Sequence, residues 1–319
     1  METIASPLMW TAFGGLVVLA LLADLVLMRH GGAHRVTFKE ALGWSVGWVA
    51  VALAFGGWLW WIAAQRYGDA EGQRIALEYL TGYLIEKSLA VDNIFVFLML
   101  FTYFAVPEQQ RQKVLVLGVL GAILLRGVMI FAGAVLLAKF HWILYVFGAF
   151  LLLTGVKMWA AAGKEPDLEA NPVLRWMRGH LNLTEGYRGD AFVVRESGLR
   201  RYTPLFVVMV LIAVTDVIFA VDSIPAIFAI TKDPFVVLTS NVFAVLGLRA
   251  MFFLLAGLAD RFHLLPYGLA VVLVFIGAKM LAIDVIHLPV MVSLGAVVAI
   301  IGATVALSLL RPQRSTPAA

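Results

Sequence analysis

Hydrophobic and polar positions alternate along this chain on the scale of whole segments. Nine stretches reach the roughly 20 mostly apolar residues that a bilayer crossing needs. They run over residues 8–28, 41–64, 75–104, 112–138, 141–161, 204–230, 236–259, 265–286 and 289–310. The pattern predicts an all-α polytopic membrane protein of about nine transmembrane helices, joined by short polar turns and one long polar connection at residues 162–203. The first stretch is expected to stay as an anchor, because Glu2 is the sole charge ahead of it and the basic n-region of a cleaved signal peptide is missing.

Composition agrees with this reading. Of 319 residues, 62% are hydrophobic and 14% charged, with a mean hydropathy of +0.94, against about 25% charged in soluble domains. The absence of cysteine excludes disulfides, thiol chemistry and cysteine-ligated zinc or iron–sulfur centres. The 24 Lys and Arg residues and net charge of +4 suggest nucleic acid until their distribution is examined. With the N-terminus outside, fifteen of them fall in inner connections and four (Arg66, Arg74, Lys139, Lys232) in outer ones. By the positive-inside rule the N-terminus is periplasmic and the C-terminus cytoplasmic, and no nucleic-acid partner is expected. The connection at 162–203, with Trp176 between Arg175 and Arg178, reads as a tether lying on the membrane.

The middle of the chain repeats itself. From Leu125, LRGVMIFAGAVLLAKFHWILYVFGAFLLLTGVKM matches LRAMFFLLAGLADRFHLLPYGLAVVLVFIGAKM from Leu248 with a one-residue gap, pairing Arg126 with Arg249 and Gly155 with Gly277. Upstream, Asp92-Asn93-Ile94-Phe95 matches Asp216-Val217-Ile218-Phe219. The chain divides accordingly into two N-terminal helices (1–74), a first three-helix repeat (75–161), the connection (162–203), a second repeat (204–286) and a last helix with its tail (287–319). Three is odd, so the second copy crosses in the opposite sense to the first. Inverted repeats of this kind mark secondary transporters, whose ion sites lie near the midplane between the copies.

Charges inside the apolar stretches are the informative exceptions. Asp24, Glu86, Asp92, Asp216 and Asp222 are acidic; Lys87, Arg126, Lys157, Arg249 and Lys279 are basic. Unpaired, each carboxylate costs roughly 2.5–3.5 kcal/mol at a helix centre, so pairing, protonation or a bound cation must offset it. Asp24 reads as a boundary residue, and Lys157 and Lys279 are placed to snorkel. Glu86 and Asp92 are six residues apart, as are Asp216 and Asp222. Six helical steps leave two side chains about 120° apart, so convergence requires a break or a central position. Pro225, after Asp222, is a candidate break that would free carbonyls near Val221. Asn93 and Asn241 add neutral oxygens.

An oxygen-rich cation site built from Glu86, Asp92, Asp216 and Asp222, with Asn93 and Asn241 and with Arg126 and Arg249 as charge partners, suits hard divalent ions such as Mn²⁺, Mg²⁺ or Ca²⁺. The competing reading is a structural charge cluster in which the two arginines lock the bundle. His30, His34, His141, His180, His263 and His287 lie in connections or at span ends, which disfavours a zinc site. Gly43 and Gly47 form a GxxxG expected to pack helices closely. No catalytic serine, histidine and acid set stands out and there is no phosphate-cradling GxxxxGK[ST], so no enzyme is expected.

LTGYLIEKSLAVDNIFVFLMLF from Leu80, TDVIFAVDSIPAIFAIT from Thr215 and LTSNVFAVLGLRAMFFLLAG from Leu238 resemble the TerC family of integral membrane proteins, most of all its Alx branch, along essentially the whole chain. The resemblance implies a bacterial inner-membrane protein of a family associated with manganese efflux and tellurite resistance, and in the Alx branch with alkaline induction and with the label of redox modulator. The family's intramembrane acids carry over onto Glu86, Asp92, Asp216 and Asp222; where Alx-like sequences have glutamate three residues before Asp216, this chain has Ala213. The expected function is export of a divalent cation, Mn²⁺ foremost, as transported ion and not as a resident cofactor, coupled to protons by antiport. The alternative is a non-transporting redox-modulating or assembly factor acting through a partner, since the chain has no redox group of its own; a cation channel is a third possibility.

Overall fold

The computed structural model describes residues 3–30, 37–140, 142–162, 168–196, 198–256, 262–285 and 288–310, with the side chains of residues 24–30 and 92 outside that description. Asp24, Asp92, His30, His34, His141, His287 and the C-terminal tail therefore lie, as side chains or entirely, outside the described residues.

Helix follows apolarity throughout. In chain order come α1 (Pro7–His30), α2 (Phe38–Tyr67), α3 (Asp69–Tyr103), α4 (Glu108–Lys139), α5 (Ile143–Ala161), α6 (Pro172–His180), the strands β1 (Val193–Glu196) and β2 (Leu199–Tyr202), then α7 (Pro204–Phe228), α8 (Pro234–Leu246), α9 (Leu248–Leu255), α10 (Leu265–Leu281) and α11 (Val290–Leu310). Local chemistry sets the starts. Thr37 accepts the Glu40 amide as the N-cap of α2, and Asp233, followed by Pro234, accepts the Phe235 and Val236 amides to open α8.

Among the described residues, α2, α4, α5, α7 and α11 are each long and apolar enough to cross a membrane, and the α8–α9 pair, bent by 41°, makes a sixth span when counted as one. Pro7–Ala23 and α10 are shorter apolar helices. Among the described residues each of the nine predicted stretches contains helix, but length and apolarity alone select five or six spans. The 35-residue α3 carries Glu78, Glu86, Lys87 and Asp92 along its length, which keeps it out of that set. The protein is a polytopic all-α membrane protein.

Glycine contacts reveal how the repeats are arranged. A methyl on Gly148 would meet the Gly277 carbonyl at 3.1 Å, and one on Gly155 would meet the Ala270 carbonyl at 2.8 Å. As α5 rises from 148 to 155, α10 descends from 277 to 270, so the two helices are antiparallel. The sequence repeat pairs Gly148 with Ala270 and Gly155 with Gly277; exchanging the copies exchanges the two contacts. Equivalent helices running in opposite directions about a two-fold are an inverted repeat. The remaining pairs obey the same exchange, with α3 against α8 and α4 against α7.

Two expectations are corrected. The helix does not break at Pro225: α7 continues through it to Phe228, because the proline sits in the last turn, where one lost hydrogen bond ends the helix without bending its middle. The break falls at Gly247, between α8 and α9. Gly43 and Gly47 are not packing glycines, since a methyl on either has nothing within 4 Å, and close approach belongs instead to Gly72, Gly148, Gly155 and Gly277. At the end of α10, Lys279 donates its Nζ to Ser293 Oγ in the first turn of α11 at 2.9 Å. The connection is folded, with α6 burying Leu174 and Met177 and leaving Trp176 exposed, stacked on His180.

Three apolar cores meet along α3. Tyr83 belongs to the core shared by α1, α2 and α8, Ile85 to the core of α5, α10 and α11, and Ala90 to that of α4, α7 and α9. Glu86 lies among them.

Candidate functional site

The center of the bundle holds a cluster of buried charge. Arg126 on α4 is 1% exposed. Its Nη2 donates to Asp216 Oδ1 on α7 at 3.0 Å and its Nε to Oδ2 at 3.4 Å, so the flat guanidinium grips that carboxylate with two donors. Its Nη1 bonds the Glu86 carboxylate from α3 and reaches Ser223 Oγ and Asn241 Oδ1, each at 3.4 Å. Asn241 on α8 closes the ring by donating Nδ2 to the other Glu86 oxygen at 2.9 Å. Four helices thus deliver five interlocked polar side chains into one water-poor point.

Two carboxylates face one guanidinium, leaving a formal charge of −1 in this cluster. Taking ions out of water costs several kcal/mol each even after relaxation, and pairing repays that only where geometry and hydrogen bonding are good. Here the arginine is fully engaged, while the surplus negative charge is what a cation or proton would neutralise.

The structure sorts the sequence candidates. Glu86, Asp216, Asn241 and Arg126 come together. Asp222 does not join them: half-buried, it turns to the Thr154 hydroxyl on α5, the divergence that six helical steps impose. Asn93 is 1% exposed, and neither its amide oxygen nor its nitrogen has a hydrogen-bond partner. It stands seven residues beyond Glu86, on the same face of α3 and about 10 Å along its axis. The Asp92 side chain lies outside the described residues; the repeat maps Arg126 and Asp216 onto Arg249, half-buried near the start of α9, and Asp92. Among the described residues no three His, Asp or Glu side chains gather in a metal-holding group.

Sequence reading missed Ser223, although its position seven residues after Asp216, two turns on the same face, was the available signal. It also missed a second charged group at the far end of α3, where Arg74 bonds Glu71 and the buried Glu78. Together with Thr231, Lys232 and Asp233 they line a cavity of about 500 Å³.

An inverted pair of three-helix units enclosing a buried carboxylate and guanidinium cluster defines the class, an integral membrane protein with charge buried inside its helix bundle. Residues 71–316 match the family described as "Integral membrane protein TerC family", and the chain belongs to that family. It is 54% identical over 308 residues to "Putative membrane-bound redox modulator Alx" of Salmonella typhi, covering 97% of this chain and 96% of that protein. To the protein of the same name in Escherichia coli (strain K12) it is 56% identical over 301 residues, 94% of each. A Myxococcus xanthus protein, "Uncharacterized membrane protein STKORF319", is 46% identical over 318 residues, 99% of this chain and 97% of that one. No solved structure matches.

Proposed function

We propose that this protein is a secondary transporter exporting a hard divalent cation, Mn²⁺ foremost, across the bacterial inner membrane, with the N-terminus periplasmic and the C-terminus cytoplasmic. It is not an enzyme and keeps no permanent cofactor on this reading. The observation that carries the proposal is the surplus carboxylate of the Glu86–Arg126–Asp216 cluster at the meeting of two antiparallel repeats, two helical turns from the unpartnered Asn93 amide.

The arriving cation takes one carboxylate from Arg126, and Asp92, Asn93 and Asn241 supply further oxygens, a donor set suited to hard ions. The arginine stays with the other carboxylate and stands in for the cation when the site empties. Release of the metal leaves negative charge in a low dielectric, which draws protons onto the carboxylates. Cation/proton antiport follows from that exchange, and rocking of one repeat against the other exposes the site alternately.

Purified protein in vesicles carrying a Mn²⁺-sensitive dye tests this reading. Flux driven by a pH gradient and lost in the Asp92→Asn, Asp216→Asn double variant is the expected result. Equal flux in wild type and double variant sinks the site assignment. Absence of flux, with a redox protein co-purifying independently of metal, favors the rival suggested by the relatives' name.

A further inference from the structure

Lys87 follows Glu86 on α3 and plays no part in the cluster just described. It is half-buried and points across to the second repeat, where its Nζ donates to the Ala244 carbonyl on α8 at 3.1 Å. That carbonyl belongs to the last turn of α8, just before the 41° break at Gly247. The last four carbonyls of a helix lack intrahelical donors, and within a membrane no water is at hand to satisfy them. A lysine supplies both the donor and a positive charge against the negative end of the helix dipole.

Gly247 is shaped around this contact. A methyl placed there would lie 2.7 Å from Lys87 Nζ and 3.2 Å from Trp48 Cβ on α2. The repeat provides an internal control. The first copy has Leu124 at the place of Gly247, and α4 runs unbroken through it; the second copy has Leu211 at the place of Lys87. The lysine in one copy and the break in the other face each other, and neither has a counterpart across the two-fold. On either side of the break stand Asn241, bonded to Glu86, and Arg249, the repeat equivalent of Arg126.

We infer that Lys87 is the pin of a hinge at Gly247, a positioning residue that couples occupancy of the Glu86 cluster to the orientation of α9 and Arg249. Glu86 and Lys87 are consecutive on a rigid helix, so a shift of α3 that carries Glu86 toward an incoming cation also moves the ammonium group that holds the end of α8. The coupling rests on the transport reading above; the hinge itself does not.

Because the chain contains no cysteine, a spin-label pair at Leu153→Cys on α5 and Ala256→Cys at the end of α9 reports the hinge directly in full-length protein in lipid. Both positions are exposed. Two variants disturb the pin in different ways: Lys87→Met removes the ammonium, and Gly247→Ala pushes it from its seat while leaving its charge. The expected result is a shifted or broadened label distance in both, with Mn²⁺ turnover lowered about tenfold, a change of about 1.4 kcal/mol in barrier, and Mn²⁺ affinity close to wild type. A wild-type distance distribution in both variants overturns the hinge. A loss of affinity matching the loss of turnover, at unchanged distance, also overturns it by placing Lys87 in the binding site. If the wild type moves no divalent cation, the transport reading fails while the distance measurement still decides the hinge.

Discussion

Arg126 and Asp216, ninety residues apart in sequence, meet through two hydrogen bonds of 3.0 and 3.4 Å in the middle of the bundle. This contact ties α4 of the first repeat to α7 of the second. Since Glu86 shares the same guanidinium, one side chain serves as structural cross-link and as counter-ion to both carboxylates.

Removing that side chain should be costly. Arg126→Met leaves two buried carboxylates without their partner, and breaking a buried pair in this way destabilises by roughly 3–5 kcal/mol. Thermal unfolding in detergent should show a large drop in Tm. Adding Glu86→Gln and Asp216→Asn to the same protein should recover much of it, because the triple variant buries no net charge.

Asp216 and Asp222 should part company in function. Asp216→Asn removes a cluster carboxylate and is expected to lower Mn²⁺ flux at least tenfold, the usual scale for losing one strong polar interaction worth about 1.4 kcal/mol or more. Asp222→Asn, which alters a side chain facing Thr154, should have the smaller effect. Parallel flux measurements that rank them the other way would move the site along α7.

Ala213 is half-buried one turn before Asp216. Ala213→Glu restores the acid of the Alx-like pattern on the face of α7 that carries Asp216. Tighter Mn²⁺ binding is expected, measured by titration of the purified protein.

The α5–α10 seam predicts a matched pair of stability losses. A methyl at Gly155 meets the Ala270 carbonyl at 2.8 Å, and one at Gly277 meets the Gly148 carbonyl and the Leu152 amide nitrogen at 2.7 Å. Backbone cannot step aside as a side chain can, so Gly155→Ala and Gly277→Ala should each cost about 1–3 kcal/mol. Gly43→Ala and Gly47→Ala, with nothing within 4 Å, should leave Tm unchanged or slightly raised.

The polar connection should loosen in acid. Hydrogen bonds from Tyr103 and Arg178 hold the Glu169 carboxyl below its ordinary value of 4.5, and the Lys113 ammonium lowers Asp190 in the same way. A carboxylate lowered by folding lends its stabilisation above the ordinary value and loses it as pH falls through the lowered one. Hydrogen-exchange protection factors in residues 168–196, taken relative to the intrinsic rate at each pH, should therefore be highest at neutral pH and fall modestly in that acid range, while the helices α4 and α7 remain protected.

The sequence alone was enough for the helices, the membrane, the three-helix repeat and its inverted sense, because apolarity, periodicity and the parity of crossings are properties of the chain itself. Of the buried polar residues it singled out, Glu86, Asp216, Asn241 and Arg126 meet. What it could not decide was who pairs with whom. The choice of Arg126 for both Glu86 and Asp216, the departure of Asp222 to α5, the enlistment of Ser223 and the placing of the break at Gly247 instead of Pro225 were settled by how closely the helices approach. Those approaches depend on contacts such as Gly148 against Gly277 and Gly247 against Lys87. A side chain's partner across a helix interface is fixed by packing between residues far apart in the chain, and that information exists only once the bundle has closed.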